Sequence, residues 1–429
     1  MSPRDADPDP RRVLLTAFEP SGDVLAARLV RWLRERRPGW SFAGLGGPEM
    51  AAAGVELLEE TVGGAAMTVG LGVAHEAKQL LRRKALVKRW MTRSPVDLLV
   101  PVDAPAANWS FCNLVRRHAP AAKIVHLVCP QVWAWASWRV RRLRRGSDRV
   151  LCLLPFEPAW LARHGVEGVF VGHPLFEASA LAPRPAEAVA GLPEGALRLA
   201  FLPGSRRSEV ERNWPDMFAA YEVLRHRHPG LVVGVAAASR ERADQVRGMV
   251  RGGRLPTKMG LRVGDAAAVL DWAHAGLVVS GTATLEAASR GCPHVAVYRA
   301  GSEWLWRTIG VRVVGTRTFT LPNLLAEQLG VVGDPGAAAA AGVGRALEPA
   351  DRLVPEIVPH FGAQAEILAA LQPLLDPDGP AARRQREGFA QIADAFAGVD
   401  FARAAGDAVL EVVEGDTRAE APDADEHAG

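Results

Sequence analysis

The sequence predicts an α/β protein built from two doubly wound, Rossmann-like domains that face a central cleft. At 429 residues, the chain is longer than a single hydrophobic core usually organises. Short apolar runs alternate with longer amphipathic stretches in two successive series, which is typical of parallel strands joined by helices. Hydrophobic residues make up 48% of the chain and charged residues 23%, as is ordinary for a globular protein.

The first series predicts an N-terminal domain over residues 11–173. Its apolar runs are residues 13–17, 98–102, 124–128, 150–154 and 169–171. A segment rich in Pro and Ala, from about residue 174 to 195, interrupts the pattern and predicts the domain linker. The second series predicts a C-terminal domain over residues 190–378, with runs at 197–202, 231–235, 277–279 and 294–298.

Four segments lie outside these two predicted cores. Residues 1–10 and 416–429 are polar or acidic, which predicts disordered tails. The alanine-rich stretch 333–342 predicts an insertion. Residues 375–380 predict a hinge, after which helices over about 381–414 return to the first domain.

Charge and cysteine content restrict the class of protein. The formal net charge is only +3, but Lys and Arg crowd between residues 82 and 149, which predicts a local basic face. The four cysteines have no short pairing or metal-ligand spacing, and the N-terminus lacks the apolar core of a signal peptide. No uncharged apolar run reaches the roughly 18 residues that span a bilayer. We expect a cytoplasmic chain whose contact with a membrane is peripheral.

The loops after two strands of the first domain carry candidate site residues, because doubly wound domains bind ligands at the carboxyl ends of their strands. Ser21, Gly22 and Asp23 follow the first strand and begin a helix whose N–H groups suit an anionic or hydroxyl-rich ligand. Asp103 directly follows another strand, with Pro105 enforcing the turn, and a carboxylate there suits a general base. The alternative for these Ser and Asp residues is helix capping.

Two loops of the second domain suit a phosphate. Gly204, Ser205 and Arg206 follow a strand, so that the backbone can approach a ligand and Arg206 supplies a planar cation. Ser280, Gly281 and Thr282 join another strand to a helix start, and Glu286 in the first turns suits ribose hydroxyls or a capping role. The GxxxxGK[ST] spacing of a nucleotide-hydrolysing loop is absent.

No metal cofactor is expected at this phosphate site. Metal-dependent sugar transferases typically hold their cation with an Asp-x-Asp pair after a strand. Such pairs occur here only in the two tails and in the predicted hinge, at Asp376 and Asp378. Arg206 and a helix dipole are expected to neutralise a diphosphate instead.

A set of motifs in a shared order resembles the lipid-A-disaccharide synthase family over about residues 13–323. The motifs are Ser21-Gly22-Asp23, Gly46-Gly47-Pro48-Glu49-Met50, Val102-Asp103-Ala104-Pro105 with Asn108, Pro130-Gln131-Val132-Trp133-Ala134-Trp135, Leu154-Pro155-Phe156-Glu157, Gly172-His173, Leu202-Pro203-Gly204-Ser205-Arg206, Ser280-Gly281-Thr282-Ala283 with Leu285-Glu286, and Leu321-Pro322-Asn323-Leu324-Leu325. Each motif alone is weak evidence, but their common order is specific.

The resemblance implies a hexosyltransferase of the GT-B architecture that acts in lipid A biosynthesis. Such an enzyme moves a diacylglucosamine unit from a UDP donor to an acylated glucosamine 1-phosphate, inverts the anomeric centre and releases UDP. Asp103 would be the catalytic carboxylate, and residues 21–23 would border the acceptor. The UDP-binding residues implied are Gly204, Ser205, Arg206, Ser280, Gly281, Thr282, Glu286 and Asn323.

Two departures from the family pattern keep alternatives open. The stretch 67–73 lacks the family's Glu, and Ala106 stands where the family has a second aspartate after Asp103. One alternative is a UDP-sugar transferase or epimerase with another substrate. The other is a non-catalytic protein that binds a UDP-sugar or a lipid.

Residues 73–91 combine a basic surface with an apolar stripe. Its apolar members are Val73, Ala77, Leu80, Leu81, Val87 and Met91, and six Lys and Arg residues lie elsewhere on the predicted helix. Together with the Arg residues at 139–145, this helix predicts contact with an anionic membrane at its cytoplasmic face. An ordinary surface helix packed on the sheet is the alternative. A nucleic-acid partner is disfavoured, because the basic clusters lack interleaved aromatic residues.

Overall fold

The computed structural model describes residues 10–62, 73–93, 95–134, 136–182, 186–301, 303–305 and 315–415. The chain forms two compact units within these limits. The first unit contains residues up to 132, residues 137–173 and those from 398 onward, and the second contains residues 133–136 and 174–397. The predicted tails, apart from residue 10, lie outside the described residues, as do residues 67–72 of the motif at 67–73.

Each unit is built on one parallel sheet. Among the described residues, the first sheet has seven strands in the order β3-β2-β1-β4-β5-β6-β7 and the second has six in the order β10-β9-β8-β11-β12-β13. The strands of the first unit are β1 Arg12–Ala17, β2 Ser41–Gly46, β3 Glu56–Glu60, β4 Leu98–Val102, β5 Lys123–Leu127, β6 Arg149–Cys152 and β7 Gly168–Phe170. Those of the second are β8 Leu197–Leu202, β9 Leu231–Ala237, β10 Met259–Val263, β11 Ala275–Val279, β12 His294–Arg299 and β13 Glu356–His360.

Helices connect the strands and cover the sheets. In the described part of the chain the α-helices are α1 Pro20–Arg36, α2 Pro48–Ala52, α3 Val73–Met91, α4 Pro105–His118, α5 Val140–Gly146, α6 Glu157–Ala162, α7 Ala178–Leu181, α8 Arg207–Arg227, α9 Arg240–Gly248, α10 Ala266–Trp272, α11 Thr282–Ser289, α12 Glu303–Leu305, α13 Leu321–Gln328, α14 Pro335–Ala341, α15 Gln364–Leu371, α16 Pro380–Asp394 and α17 Phe401–Glu414. The two doubly wound domains predicted from the sequence are therefore present.

The strand order reverses once in each sheet. In the first unit the reversal lies between β1 and β4, and in the second it lies between β8 and β11. At such a switch point the loops from adjacent strands leave toward opposite sides of the sheet, which opens a crevice at the carboxyl ends. The two switch points therefore locate the loops that were singled out from the sequence.

The structure also describes the two internal segments that the sequence left outside the predicted cores. The supposed insertion at 333–342 is largely helix α14, whose start is capped by Asp334 through the N–H groups of Gly336 and Ala337. The supposed hinge at 375–380 lies inside the second unit.

Helix α16 belongs to the second unit, although the sequence analysis assigned residues from about 381 to the first. Its Gln385 exchanges hydrogen bonds with the backbone of His294 on β12. Phe389 stacks on the His294 ring with 5.5 Å between ring centroids. Because these buried contacts fix α16 to the second sheet, α17 is the helix that returns to the first unit.

Helix α3 has the predicted bounds, and Leu80, Val87 and Met91 of its predicted apolar stripe pack against the core. Val87 is fully buried, and Leu80, Leu86 and Trp90 pack against the same core as strand β4. Ala77 is exposed, and the Leu81 side chain is 65% exposed. The helix therefore packs on the sheet through its second half. None of the helices in the described residues combines the length and apolar composition needed to cross a bilayer.

Helix α17 packs against α1 through a glycine contact. Gly406 is buried, and a methyl group added there would lie 2.1 Å from Cε3 of Trp32 on α1. Around this contact, the buried face of α17 consists of Phe401, Ala405, Ala408, Val409 and Val413. Close helix approach thus depends on the missing side chain.

We expect Gly406→Ala to destabilise the protein by about 1–3 kcal/mol, because overpacking forces the Trp32 ring or the helix to shift. Urea denaturation followed by tryptophan fluorescence measures the change. Asp407→Ala, at the exposed neighbouring position, is the control and should change stability by less than about 0.5 kcal/mol. Equal effects of the two substitutions would contradict this account of the contact.

Candidate functional site

The first switch point brings together the two candidate loops of the first unit. Strands β1 and β4 are direct parallel neighbours, with Ala17 opposite Val102. The loop after β1 begins α1, and the loop after β4 begins α4. A methyl group on Gly22 would lie 3.3 Å from Cγ1 of Val102, so that the segment 21–23 runs beside the end of β4. Asp103 is the residue that directly follows this strand end.

The backbone at Asp103 is strained. Asp103 has φ of 45° and Ala104 has φ of 39°, both in the left-handed region that residues with a side chain rarely adopt. Such conformations cost on the order of 1–3 kcal/mol each and persist only where surrounding contacts enforce them. Here the strain falls on the one carboxylate that the sequence analysis selected as a general base.

Asn108 on α4 enforces the strained turn. Its Nδ2 donates to the carbonyl oxygens of Val102, at 2.9 Å, and of Asp103, at 2.6 Å. Its Oδ1 accepts the hydroxyl hydrogen of Thr16 on β1, at 2.7 Å. Both side chains are fully buried. One amide therefore ties β1, the end of β4 and the first turn of α4 together around Asp103.

Asp23 has a structural role that its position in the sequence did not reveal. It is buried, and its carboxylate accepts the N–H groups of Gly47, Glu49 and Met50 at 2.8–3.2 Å. Asp23 thus caps α2 rather than its own helix α1. Of the three candidates on α1, Ser21 is the one whose side chain is exposed.

The second switch point places the loop 203–206 beside the loop 280–282. Strands β8 and β11 are parallel neighbours, with Leu202 opposite Val278. Gly204 has φ of 112°, which explains glycine at that position. The Arg206 side chain is 65% exposed. The candidate phosphate residues therefore converge at one edge of this sheet.

The Glu209 carboxylate hydrogen-bonds to the loop 203–206, which we call the phosphate loop. Oε2 of Glu209 accepts the N–H groups of Ser205 and Arg206 at 3.0 and 3.1 Å, and its Oε1 lies 3.4 Å from Nη1 of Arg206. The loop therefore presents N–H groups in a geometry that holds an anion. Glu209 was not among the predicted site residues, although it lies three residues after the N-cap residue Arg206, the spacing of a capping box.

The loop after β11 is open to solvent at its tip. Gly281, with φ of 151°, and Thr282 are both exposed, and Glu286 is half-buried in the next turn of α11. Gly281 has no side chain to cap the helix, while Thr284 donates its hydroxyl hydrogen to the Gly281 carbonyl. The start of α11 thus faces solvent with backbone groups, as an anion site requires.

Asn323 is buried and bonded to the interior. Its Nδ2 donates to Val354 O at 2.7 Å and to Glu356 Oε1 at 2.8 Å, and its Oδ1 accepts the Val354 N–H. Glu356 also accepts the N–H groups of Phe319 and Thr320 and the Thr320 hydroxyl. Asn323 therefore fixes the start of α13 to β13, and its amide is fully used in doing so.

Burial keeps three histidines neutral near neutral pH. Desolvation lowers the pKa of His126, His173 and His294 to about 4 each. His173 lies in the Gly172-His173 motif, but its ring is uncharged above that pH. At neutral pH these three rings are therefore uncharged and cannot act as proton donors.

Comparison with known proteins agrees with the motifs. A model of the lipid-A-disaccharide synthetase family matches residues 13–334. The lipid-A-disaccharide synthase of Verminephrobacter eiseniae is 37% identical over 329 residues, covering 74% of this chain and 84% of the relative. That of Pseudomonas savastanoi pv. phaseolicola is 36% identical over 387 residues, covering 89% of this chain and 92% of the relative.

Solved structures share the two-domain architecture. The kitacinnamycin glycosyltransferase is 16% identical with a TM-score of 0.57, and the match covers 95% of this chain and all of that one. The calicheamicin glycosyltransferase is 18% identical with a TM-score of 0.53, covering 96% and 100%. At these identities the likeness concerns the fold alone, and it confirms the predicted GT-B architecture.

Removal of the Asn108 amide should destabilise the first unit. Asn108→Ala leaves the buried Thr16 hydroxyl and the Val102 and Asp103 carbonyls short of partners, which we expect to cost about 1–3 kcal/mol. Urea denaturation measures the loss. Ser110→Ala is the control on the same helix, because that hydroxyl bonds only within α4, to Ala107 O. If Asn108→Ala lowered the free energy of unfolding no more than Ser110→Ala does, the Asn108 hydrogen bonds would not stabilise the turn.

Proposed function

The chain belongs to the lipid-A-disaccharide synthase family of glycosyltransferases, and from that membership we propose that it joins two acylated glucosamine units. The donor is a UDP-linked diacylglucosamine, and the acceptor is an acylated glucosamine 1-phosphate. The products are the lipid A disaccharide and UDP. The observation that carries the proposal is the strained, braced turn that holds Asp103 at the first switch point.

Asp103 acts as the general base in the proposed reaction. Its carboxylate takes the proton of the acceptor hydroxyl, and that oxygen attacks the anomeric carbon from the face opposite UDP. The bond between the anomeric carbon and the UDP oxygen breaks, and UDP leaves with the electron pair. The configuration is therefore inverted. Because Asn108 fixes the backbone on both sides of Asp103, the base is positioned before substrate arrives.

The loops at the second switch point bind UDP in this proposal. The N–H groups of the loop 204–206, the Arg206 guanidinium and the start of α11 at 280–282 face the diphosphate. Glu286 accepts hydrogen bonds from ribose hydroxyls. Asn323 contributes by fixing the start of α13 rather than through its own amide, since that amide is bonded to Val354 and Glu356.

No metal ion is proposed at the diphosphate. Arg206 and the start of α11 supply the positive charge. The Asp376 and Asp378 pair belongs to a turn before α16, in which the Asp376 carboxylate accepts the Asp378 N–H.

The acceptor side is proposed to lie along residues 21–23. Ser21 is exposed beside the Asp103 loop and is the member of the three that faces solvent. Ala106 is exposed in the first turn of α4, so the aspartate that the family has there would face solvent close to Asp103. This chain therefore has one aspartate in this turn where the family has two.

An anionic membrane surface is the proposed setting of the reaction. Helix α4 packs against both α3 and α5, so these three helices lie on one face of the sheet. Leu81 on α3 and Trp138 just before α5 are large hydrophobic side chains with 65% and 59% exposure. Exposed basic residues surround them on the same two segments, namely Lys78, Arg82, Lys88, Arg89, Arg141, Arg142, Arg144 and Arg145. Such a surface suits the cytoplasmic leaflet.

Asp103→Asn tests the catalytic proposal. We expect kcat to fall by about 100-fold or more, because the amide cannot accept the proton. UDP release by the purified chain is measured with both acylated substrates in detergent micelles. UDP affinity, measured by calorimetry, should stay unchanged, which separates lost catalysis from lost folding. Donor binding by the unaltered chain without any UDP release would overturn the proposed reaction.

The double variant Leu81→Glu with Trp138→Glu tests the membrane surface. We expect roughly tenfold weaker binding to vesicles of phosphatidylcholine and phosphatidylglycerol, because two apolar anchors are lost and the basic charge is reduced. Sedimentation with vesicles measures the binding. Met249→Glu, at a hydrophobic position that is 40% exposed in the second unit, is the control. Equal binding by the double variant and the unaltered chain would rule out this surface.

A further inference from the structure

Strand pairing brings two distant cysteines together in the first unit. Cys152 ends β6, and Cys129 lies just beyond the end of β5, its neighbour, with Leu127 opposite Leu151. Glu157 at the start of α6 completes the group. The two sulfur atoms and one carboxylate oxygen all lie within 4.8 Å of one another, and all three residues are buried. This group, Cys129, Cys152 and Glu157, has no part in the proposed reaction.

We infer that Cys129, Cys152 and Glu157 form a binding site for one zinc ion. Two thiolates and a carboxylate are donors that zinc takes in proteins, at about 2.3 Å for sulfur and about 2.0–2.2 Å for oxygen. Around a tetrahedral ion, such donors lie about 3.5–4 Å from one another. Small rotations of side chains that are already this close would form the site, and a water molecule would fill the fourth position.

The surroundings orient the carboxylate of this group. Oε2 of Glu157 accepts the N–H of Leu154 at 3.0 Å, which holds this carboxylate beside the two sulfur atoms. Metal ligands held in this way by a further hydrogen bond are pre-oriented for coordination. The Cys129 sulfur lies 3.5 Å from Pro130 O and the Cys152 sulfur lies 3.6 Å from Val150 O, and the two thiols also hydrogen-bond to each other.

Zinc binding is a proton exchange at this site. The zinc ion replaces the two thiol protons, which pass to solvent, and two sulfur–zinc bonds form. No oxidation or reduction is involved. The ion would fix the ends of β5 and β6 and the start of α6 to one another.

The remaining cysteines provide a matched control. Cys112 and Cys292 are also buried, but neither belongs to a group of three potential ligands in the described part of the chain. Glu157→Gln is a mild test of the third ligand, because the amide oxygen can still accept the Leu154 N–H while the anionic donor is lost. The fold is therefore kept in that variant.

The experiment titrates the reduced full-length chain with Co²⁺, which gives an intense thiolate-to-metal absorption band when bound by cysteine. We expect one equivalent of Co²⁺ to bind and Zn²⁺ to displace it. Cys129→Ser and Cys152→Ser should each weaken binding at least tenfold, and Glu157→Gln should do so as well. Cys112→Ser should bind like the unaltered chain. Zn²⁺ should raise the Tm of the unaltered chain more than that of Glu157→Gln.

Three results would overturn the inference. The first is the absence of a thiolate band at stoichiometric excess of Co²⁺. The second is that Glu157→Gln and at least one of the two serine variants, Cys129→Ser or Cys152→Ser, bind Co²⁺ as tightly as the unaltered chain does. The third is that the reduced chain binds no metal while air oxidation consumes two thiols per chain, which would identify the cysteine pair as a disulfide instead.

Discussion

A parallel sheet whose strand order reverses has to send neighbouring loops to opposite sides, and the placement of the candidate site residues depends on that constraint. The reversals between β1 and β4 and between β8 and β11 create the only positions in each sheet, among the described strands, where two adjacent loops diverge. Asp103 lies at the first and Arg206 at the second. The large apolar cores on both faces of the sheets serve to keep these strand ends in register.

Buried polar side chains fix the conformation of the loops that follow these strands. Asn108 hydrogen-bonds to the backbone of the Asp103 turn, and Asp23 on α1 caps α2. Glu356 accepts backbone N–H groups of the segment before α13. Each of these groups bonds backbone that is distant in sequence. A fully bonded polar group inside a protein specifies one arrangement, because any other leaves it without partners.

The sequence was sufficient for the fold and for the strand-end loops, because strands buried on both faces read as continuous apolar runs. Two of the edge strands gave no such signal, since β3 carries Glu56, Glu59 and Glu60 and β13 contains Pro359. The capping of α2 by Asp23 and the proximity of Cys129 to Cys152 depend on the strand order. Local sequence patterns do not determine the strand order, so neither feature could be predicted. Whether Asp103, Arg206 and Glu286 contact substrate is still a prediction. Glu209 could have been found from its spacing.

The carboxylate of Glu209 makes the phosphate loop a site that is already occupied. An incoming anion competes with the Glu209 carboxylate for the N–H groups of the loop. The effective concentration of this carboxylate is high, because Glu209 is only four residues from Ser205 in the same chain. A small anion such as inorganic phosphate would only replace the hydrogen bonds that Glu209 already makes, so it gains little binding free energy. A ligand that also engages Arg206 and the start of α11 recovers the loss through its additional contacts. For the proposed UDP site, we therefore expect this capping contact to favour UDP over simple anions.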